Sequence, residues 1–228
     1  MNIGFISLGC SKNRVDTEIM MALLRKKSHK IVNSIERANL VIINTCGFIN
    51  DAKEEAINTI IEVGQLKEKG IVDYIIATGC LSQRYGQELI EELPELDAVV
   101  GIADYHSIAD VVAKVSNNEK IVLVSPPPTQ FIEKGPRILT TPPGSAYLKI
   151  TEGCSNRCAY CAIPSIRGNL RSHHLEDLVK EANLLVSQGV KELVLVGQDT
   201  ASYGQDLKNS LPNLLAELVK IPDLEWIR

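Results

Sequence analysis

The sequence predicts an α/β protein: an N-terminal parallel-sheet domain followed by the first βα units of a second domain. Three observations predict it. Short apolar runs alternate with helix-periodic stretches over the first ~120 residues, the pattern of strands joined by crossover helices. The same alternation restarts after a proline-rich break. Finally, three of the six cysteines, Cys10, Cys46 and Cys80, close similar phrases, "FISLGC", "VIINTC" and "IIATGC".

The elements follow in order. Ile3–Leu8 is a short apolar strand ahead of Gly9. Residues 12–27 have helical periodicity, with Val15, Ile19, Ala22 and Leu23 on one face. Leu40–Asn44 is a second buried strand. Asn50 or Asp51 is placed to cap a helix reaching about Lys69, with Ala56, Ile57, Ile60 and Ile61 as its inner stripe. Tyr74–Thr78 is a third strand. A short helix around Gln87–Leu93 ends before Pro94. Ala98–Val100 and Ile121–Val124 add two strands, with a helix near Ile108–Lys114 between them. The first domain is thus expected over 1–124, with about five strands and four helices.

Residues 125–144, "SPPPTQFIEKGPRILTTPPG", hold six prolines and no apolar periodicity, so an extended linker is expected there. The second domain, 145–228, opens with a strand at Tyr147–Ile150. A helix at Leu175–Gln188 stops at Gly189. Then come a strand at Glu192–Val196, a helix at Leu211–Lys220 and the opening of a strand at Leu224–Ile227. Two βα units cannot close a barrel, which takes about 200 residues or more. The chain is therefore expected to be a piece of a longer protein.

Composition narrows the class. Hydrophobic residues make up 45% and charged residues 23% of the 228, enough for a proper core. No apolar run approaches the roughly 20 residues of a membrane span. The N-terminal run is too short for a signal peptide and lacks a basic leader. A reducing cytoplasm is expected, where cysteines serve as ligands or catalytic thiols more often than as disulfides. The net charge of −4 argues against strong nucleic-acid binding by charge alone. One local cluster runs the other way: Arg157, Arg167, Arg171, His173 and His174, either a solvated helix approach or an anion-facing site.

The cysteines carry the chemistry. Cys10, Cys46 and Cys80 each lie just past a predicted strand. In a parallel sheet all strand C-termini share one edge, where open α/β sheets bind ligands. Gly9, Gly47 and Gly79 beside them permit close backbone approach. Three readings stand: buried structural cysteines, a zinc site, and an iron–sulfur cluster. Structural zinc prefers four ligands, whereas a cluster with one open iron suits three thiolates. Cys154, Cys158 and Cys161 form C-x-x-x-C-x-x-C on one loop, spacings that let a loop wrap three corners of a cubane cluster. Zinc with His173 or His174 as fourth ligand is the competitor. Tyr160 offers an aromatic face suited to an adenine ring, or simply packs the loop.

"EGCSNRCAYCAIP" resembles the radical S-adenosylmethionine (SAM) superfamily motif. "SLGCSKNRVDTE", "INTCGFINDAKEEAI" and "ATGCLSQRY" resemble the methylthiotransferase family. "CAIPSIRG" and "VGQDTASYGQDL" are most similar to the branch that methylthiolates an aspartate of small-subunit ribosomal protein twelve. The resemblance covers nearly the whole chain.

The resemblance implies that the second domain is the start of a radical SAM (partial TIM-like) barrel. It implies two [4Fe–4S] clusters and S-adenosyl-L-methionine as cofactors. Cys154, Cys158 and Cys161 would ligate the SAM cluster, and Cys10, Cys46 and Cys80 an auxiliary cluster supplying sulfur. Where the superfamily often has Gly-Gly-Glu against the SAM amino group, this chain has Val196-Gly197-Gln198-Asp199. Gln198 is the candidate there; its other reading is a loop residue capping the next helix. The implied reaction replaces a C–H bond on the aspartate β-carbon by C–S–CH₃, through a 5′-deoxyadenosyl radical. An electron donor such as flavodoxin or ferredoxin would serve it. The chain alone would be inactive, lacking the rest of the barrel. Competing readings are a tRNA adenosine methylthiotransferase with the same clusters, and a zinc-stabilised, non-catalytic α/β binding module.

Overall fold

In the computed structural model, which describes residues 1–131 and 135–228, the apolar runs of the first half pair as a six-stranded sheet. The strands are β1 (Asn2–Ser7), β2 (Lys30–Val32), β3 (Leu40–Thr45), β4 (Tyr74–Gly79), β5 (Ala98–Val100) and β6 (Ile121–Leu123). Their order is β2-β1-β3-β4-β5-β6, and every pairing is parallel. The helices between them are α1 (Ser11–Lys26), α2 (Asn50–Glu68), α3 (Cys80–Glu92) and α4 (Ile108–Val115).

Central strands buried on both faces must be apolar throughout. All six residues of β3 are buried: Leu40, Val41, Ile42 and Ile43 meet this demand, while Asn44 and Thr45 at its C-terminal end are polar and hydrogen-bonded. One layer of the core packs Ala56, Ile60 and Val63 of α2 and Leu81 and Leu89 of α3 against β3 and β4. α1 and α4 contact each other. The strand order steps outward from β1 in both directions, so the switch point lies between β1 and β3. A doubly wound sheet opens its ligand crevice at such a point, beyond the strand C-termini.

The C-terminal half builds a second parallel sheet from β7 (Ser145–Lys149), β10 (Glu192–Val196) and β11 (Trp226–Ile227), in the order β11-β10-β7. A two-residue antiparallel pair, β8 (Thr151–Glu152) with β9 (Arg171–Ser172), flanks the cysteine loop. The helices are α5 (Ile163–Arg167), α6 (Leu175–Ser187) and α7 (Leu211–Leu218). Leu178, Ala182 and Leu185 of α6 and Leu214 and Leu218 of α7 share a core with Ala146, Leu148 and Leu193.

The chain divides into two units, 1–127 with 135–138, and 128–134 with 139–228. The proline-rich stretch is thus shared between them. Its residues 132–134 lie outside the described residues. Residues 135–138 join the first unit through Arg137, whose Nε (3.1 Å) and Nη2 (2.7 Å) donate to Glu18 Oε2, with both side chains almost wholly buried.

Several local expectations shift. β2 was not expected; it is a three-residue edge strand with little apolar signal. α3 begins at Cys80, well before Gln87, because Gly79 (φ +97°) turns the chain directly from strand into helix. On α2, Ile61 is 38% exposed and Val63 takes its place inside. The N-cap of α2 is Ile49, without a side-chain cap bond; Asn50 is already helical.

Candidate functional site

In the first unit, three βα turns supply one thiol each along one sheet edge. Cys46 directly follows β3, Cys80 directly follows β4, and Cys10 follows β1 by three residues. The turns lie against one another. A Cβ on Gly9 would sit 2.8 Å from Cys46 Cβ and 3.3 Å from its Sγ. One on Gly47 would meet the Leu81 backbone at 2.8 Å, and one on Gly79 would meet the Thr45 amide nitrogen at the same distance. Arg84 Nη1 donates to Gly47 O (3.3 Å), Thr45 Oγ1 to Thr78 O (2.6 Å), and Leu8 N to Asn44 O (2.9 Å). Two helices start at these thiols: Cys10 is the N-cap of α1 and Cys80 the first residue of α3. Unsatisfied N–H groups at helix N-termini favour negative charge, and this suits a set of thiolates.

All six cysteines are free; Cys10 is exposed, Cys46 half-buried and Cys80 buried. Their unequal burial departs from the reading of three buried structural cysteines. Asn13, which no sequence pattern singles out, has its side chain among these turns. Both Cys10 Sγ (3.8 Å) and Cys80 Sγ (3.9 Å) donate to its Oδ1. Reading "CSKN" as the start of a helix leaves Asn13 as one polar residue among several.

In the second unit, Cys154, Cys158 and Cys161 line one cavity of about 260 Å³ together with Asn156, Ile163, Gln198 and Asp199. The loop is pinned at its start. Gly153 (φ +68°) lets Cys154 N donate to Gly168 O at 3.1 Å. Beneath it, wholly buried Glu152 accepts from Gly153 N (3.1 Å), Lys149 Nζ (3.2 Å) and Arg167 Nη1 (2.5 Å). Across the cavity, Asp199 accepts from Asn156 Nδ2 (3.0 Å), Ser202 Oγ (2.7 Å) and Ala201 N (3.2 Å). The Ser202 hydroxyl, then Asn156 and the backbone amides, outweigh partial burial and hold Asp199 below the usual carboxylate range. Asp199, not Gln198, therefore caps the following turn. Gln198 lines the cavity at the end of β10. Tyr160 is 88% exposed, which rules out ordinary loop packing for its ring.

The basic cluster separates. Arg167, Arg171 and His173 are each at most 3% exposed, contrary to a solvated approach. Arg167 pairs with Glu152, Arg171 Nη1 donates to Arg167 O (2.7 Å), and His173 stacks on Phe131 with ring centroids 4.4 Å apart. Arg157 stays near the surface and donates to Asn169 Oδ1 at 2.8 Å. Among the described residues, no three His, Cys, Asp or Glu side chains are arranged around a single metal ion. A tetrahedral zinc site, with metal–sulfur bonds of about 2.3 Å, is thus not preformed. No described helix is long and apolar enough to cross a membrane.

Comparisons with known proteins match both halves. Residues 2–101 match the uncharacterized protein family UPF0004, and residues 148–225 match the radical SAM superfamily. The whole chain is 61% identical to the ribosomal protein uS12 methylthiotransferase RimO of Syntrophomonas wolfei, covering 52% of that protein. It is 49% identical to the protein of the same name from Clostridioides difficile, again covering 52%. The chain thus spans about half the length of the curated relatives it matches. Among solved structures, the radical SAM methyltransferase TsrM of Kitasatospora setae is similar in fold, with a TM-score of 0.62 at 12% identity, covering 96% of this chain and 51% of that one. The first part of the chain thus matches one family model, the last part matches the radical SAM superfamily model, and the whole chain is similar to about half the length of the uS12 methylthiotransferases.

Proposed function

We propose that this chain carries the two cofactor-binding regions of a radical SAM methylthiotransferase acting on an aspartate β-carbon of ribosomal protein uS12. Cys154, Cys158 and Cys161 hold one [4Fe–4S] cluster, with SAM in the adjoining cavity. Cys10, Cys46 and Cys80 hold the second. Such a pair of clusters supplies reductive cleavage of SAM and delivery of sulfur, the one-electron chemistry needed at an unactivated C–H bond. The observation that carries the proposal is the grouping of the thiols. Three lie on adjoining turns at a sheet switch point, and three line one cavity with Gln198.

The chain's own residues then have definite tasks. The Gln198 amide oxygen accepts from the SAM ammonium. Exposed Tyr160 offers a flat face to the adenine. Asp199 holds Asn156, and with it the middle of the cysteine loop, against the end of β10. The Glu152–Arg167 pair fixes the base of that loop. The working environment is the cytoplasm, with flavodoxin or ferredoxin as reductant. Identities of 45–61% to uS12 methylthiotransferases support the protein substrate over tRNA, and the radical SAM match supports catalysis over a zinc binding module.

The test is anaerobic reconstitution followed by iron and sulfide analysis. Changing Cys154, Cys158 and Cys161 to Ala is expected to leave about half the iron and abolish SAM binding. The Cys10, Cys46 and Cys80 triple change should also leave half, with SAM binding intact. Complete iron loss in either variant would sink the assignment of two independent sites.

A further inference from the structure

Cys10, Cys46 and Cys80 come from three separate turns, and their spacing has to be held by other groups. Asn13, three residues into α1, contacts all three turns. Its side chain is wholly buried. Nδ2 donates to Leu8 O at 3.2 Å and to Thr45 O at 2.9 Å. Carbonyl oxygens can only accept, so these two bonds decide which end of the amide is nitrogen. Oδ1 is thereby turned toward the thiols of Cys10 (3.8 Å) and Cys80 (3.9 Å). The backbone carbonyl of Asn13 in turn accepts from Asn44 Nδ2 at 2.8 Å. One residue thus ties the turn before Cys10, the residue before Cys46, and two of the three thiols.

We propose that Asn13 is the positioning residue of the Cys10–Cys46–Cys80 site, its amide setting the spacing at which the three sulfurs bind an iron–sulfur cluster. This rests on the reading that those cysteines hold a cluster. Asn13 holds the turns that carry the ligands, the role that outer partners play around metal sites generally.

The experiment uses the full chain with Cys154, Cys158 and Cys161 changed to Ala, so that only this site remains. Asn13→Asp keeps size and shape but removes both donors. Iron retention against a chelator and the electron paramagnetic resonance spectrum of the reduced protein are compared with the parent. Iron loss is expected to be about 10- to 100-fold faster, with an altered spectrum in the clusters that survive. Thr17→Val is the control. Thr17 lies in the same buried network, bonded to Asn44 (2.9 Å) and Ser7 (3.1 Å), and its loss should leave retention and spectrum unchanged. If Asn13→Asp fails to fold by circular dichroism, Asn13→Ser, which keeps one donor, should still lose iron faster than the parent and alter the spectrum.

A parent that takes up no iron refutes the ligand reading itself. A parent that does, with Asn13→Asp or Asn13→Ser matching it in rate and spectrum, overturns only the role of Asn13. Equal iron loss in Thr17→Val would also overturn it, because general loosening of the unit would then suffice.

Discussion

Replacing Gly9 with Ala tests the packing of the three thiol turns. Gly9 has φ +87°, and an added Cβ would lie 2.8 Å from Cys46 Cβ, 3.3 Å from Cys46 Sγ and 3.4 Å from Asn13 Nδ2. Carbon atoms pack best at about 3.5–4.0 Å, so the β3 turn must retreat. The left-handed backbone costs an alanine about 1–2 kcal/mol. Overpacking adds about 1–3 kcal/mol, so the variant should lose about 2–5 kcal/mol. A urea dependence of about 2 kcal/mol per molar, the middle of the usual range, turns this into a midpoint shift of roughly 1–2.5 M. The assay is urea unfolding of the iron-free chain, with circular dichroism reporting both units. The single tryptophan, Trp226, reports the second unit alone and serves as internal control. Asn, which tolerates left-handed backbone better, should recover the conformational share but not the steric one. A dichroism midpoint within about 0.3 M of wild type, well under the shift expected from such slopes, would refute the reasoning. So would a matching shift in tryptophan fluorescence.

Other outcomes follow from the same kind of geometry. Gly153→Ala would place a Cβ 2.1 Å from Asn169 O and 2.7 Å from Gly168 O, both backbone atoms. It should abolish iron binding at Cys154, Cys158 and Cys161 while sparing the other site, as read by iron analysis in each triple-Ala background. Arg137→Ala removes one partner of a buried ion pair, a change that costs about 3–5 kcal/mol; proteinase K should then nick residues 125–144 faster. Tyr203 donates to His173 O at 3.1 Å, and burial, then the charges of Glu176 and Asp206, push its hydroxyl up to about 12. In the unfolded chain it ionises near 10. Its contribution is therefore complete below about pH 10 and is lost as pH rises toward about 12. Tyr203→Phe should cost about 1 kcal/mol at neutral pH and flatten the alkaline fall in second-unit stability followed by fluorescence.

Much of the fold was legible because long elements average over many residues. β3 reads as an apolar run and the α1 stripe recurs at helical spacing, and both lie within a residue or two of their expected bounds. Short elements escaped: β2, β8, β9 and α5 hold two to five residues each, too few for any periodicity. The early start of α3 escaped because one glycine, rather than a pattern, sets it. At the sites, residue types were legible but partners were not. Arg167 and Arg171 look solvent-bound in sequence, since nothing local shows that Glu152 will be buried beside Arg167. Asn13 was overlooked for the same reason. Besides its local partners at positions 8 and 10 it bonds to positions 45 and 80, which only the parallel sheet brings near.

The scattering of Cys10, Cys46 and Cys80 over three βα units has a consequence for the life of the chain. On the ligand sets proposed above, the Cys154 loop is local, so even a disordered polypeptide can wrap it around a cluster. The other three thiols are neighbours only once β1, β3 and β4 have paired, since otherwise two long stretches of chain must be closed at an entropic cost. With those ligand sets maturation would be ordered: one centre could be loaded early, while the other would wait for a finished sheet and then tie its strands together. Iron held at Cys10, Cys46 and Cys80 is in that sense a certificate that the first unit has folded.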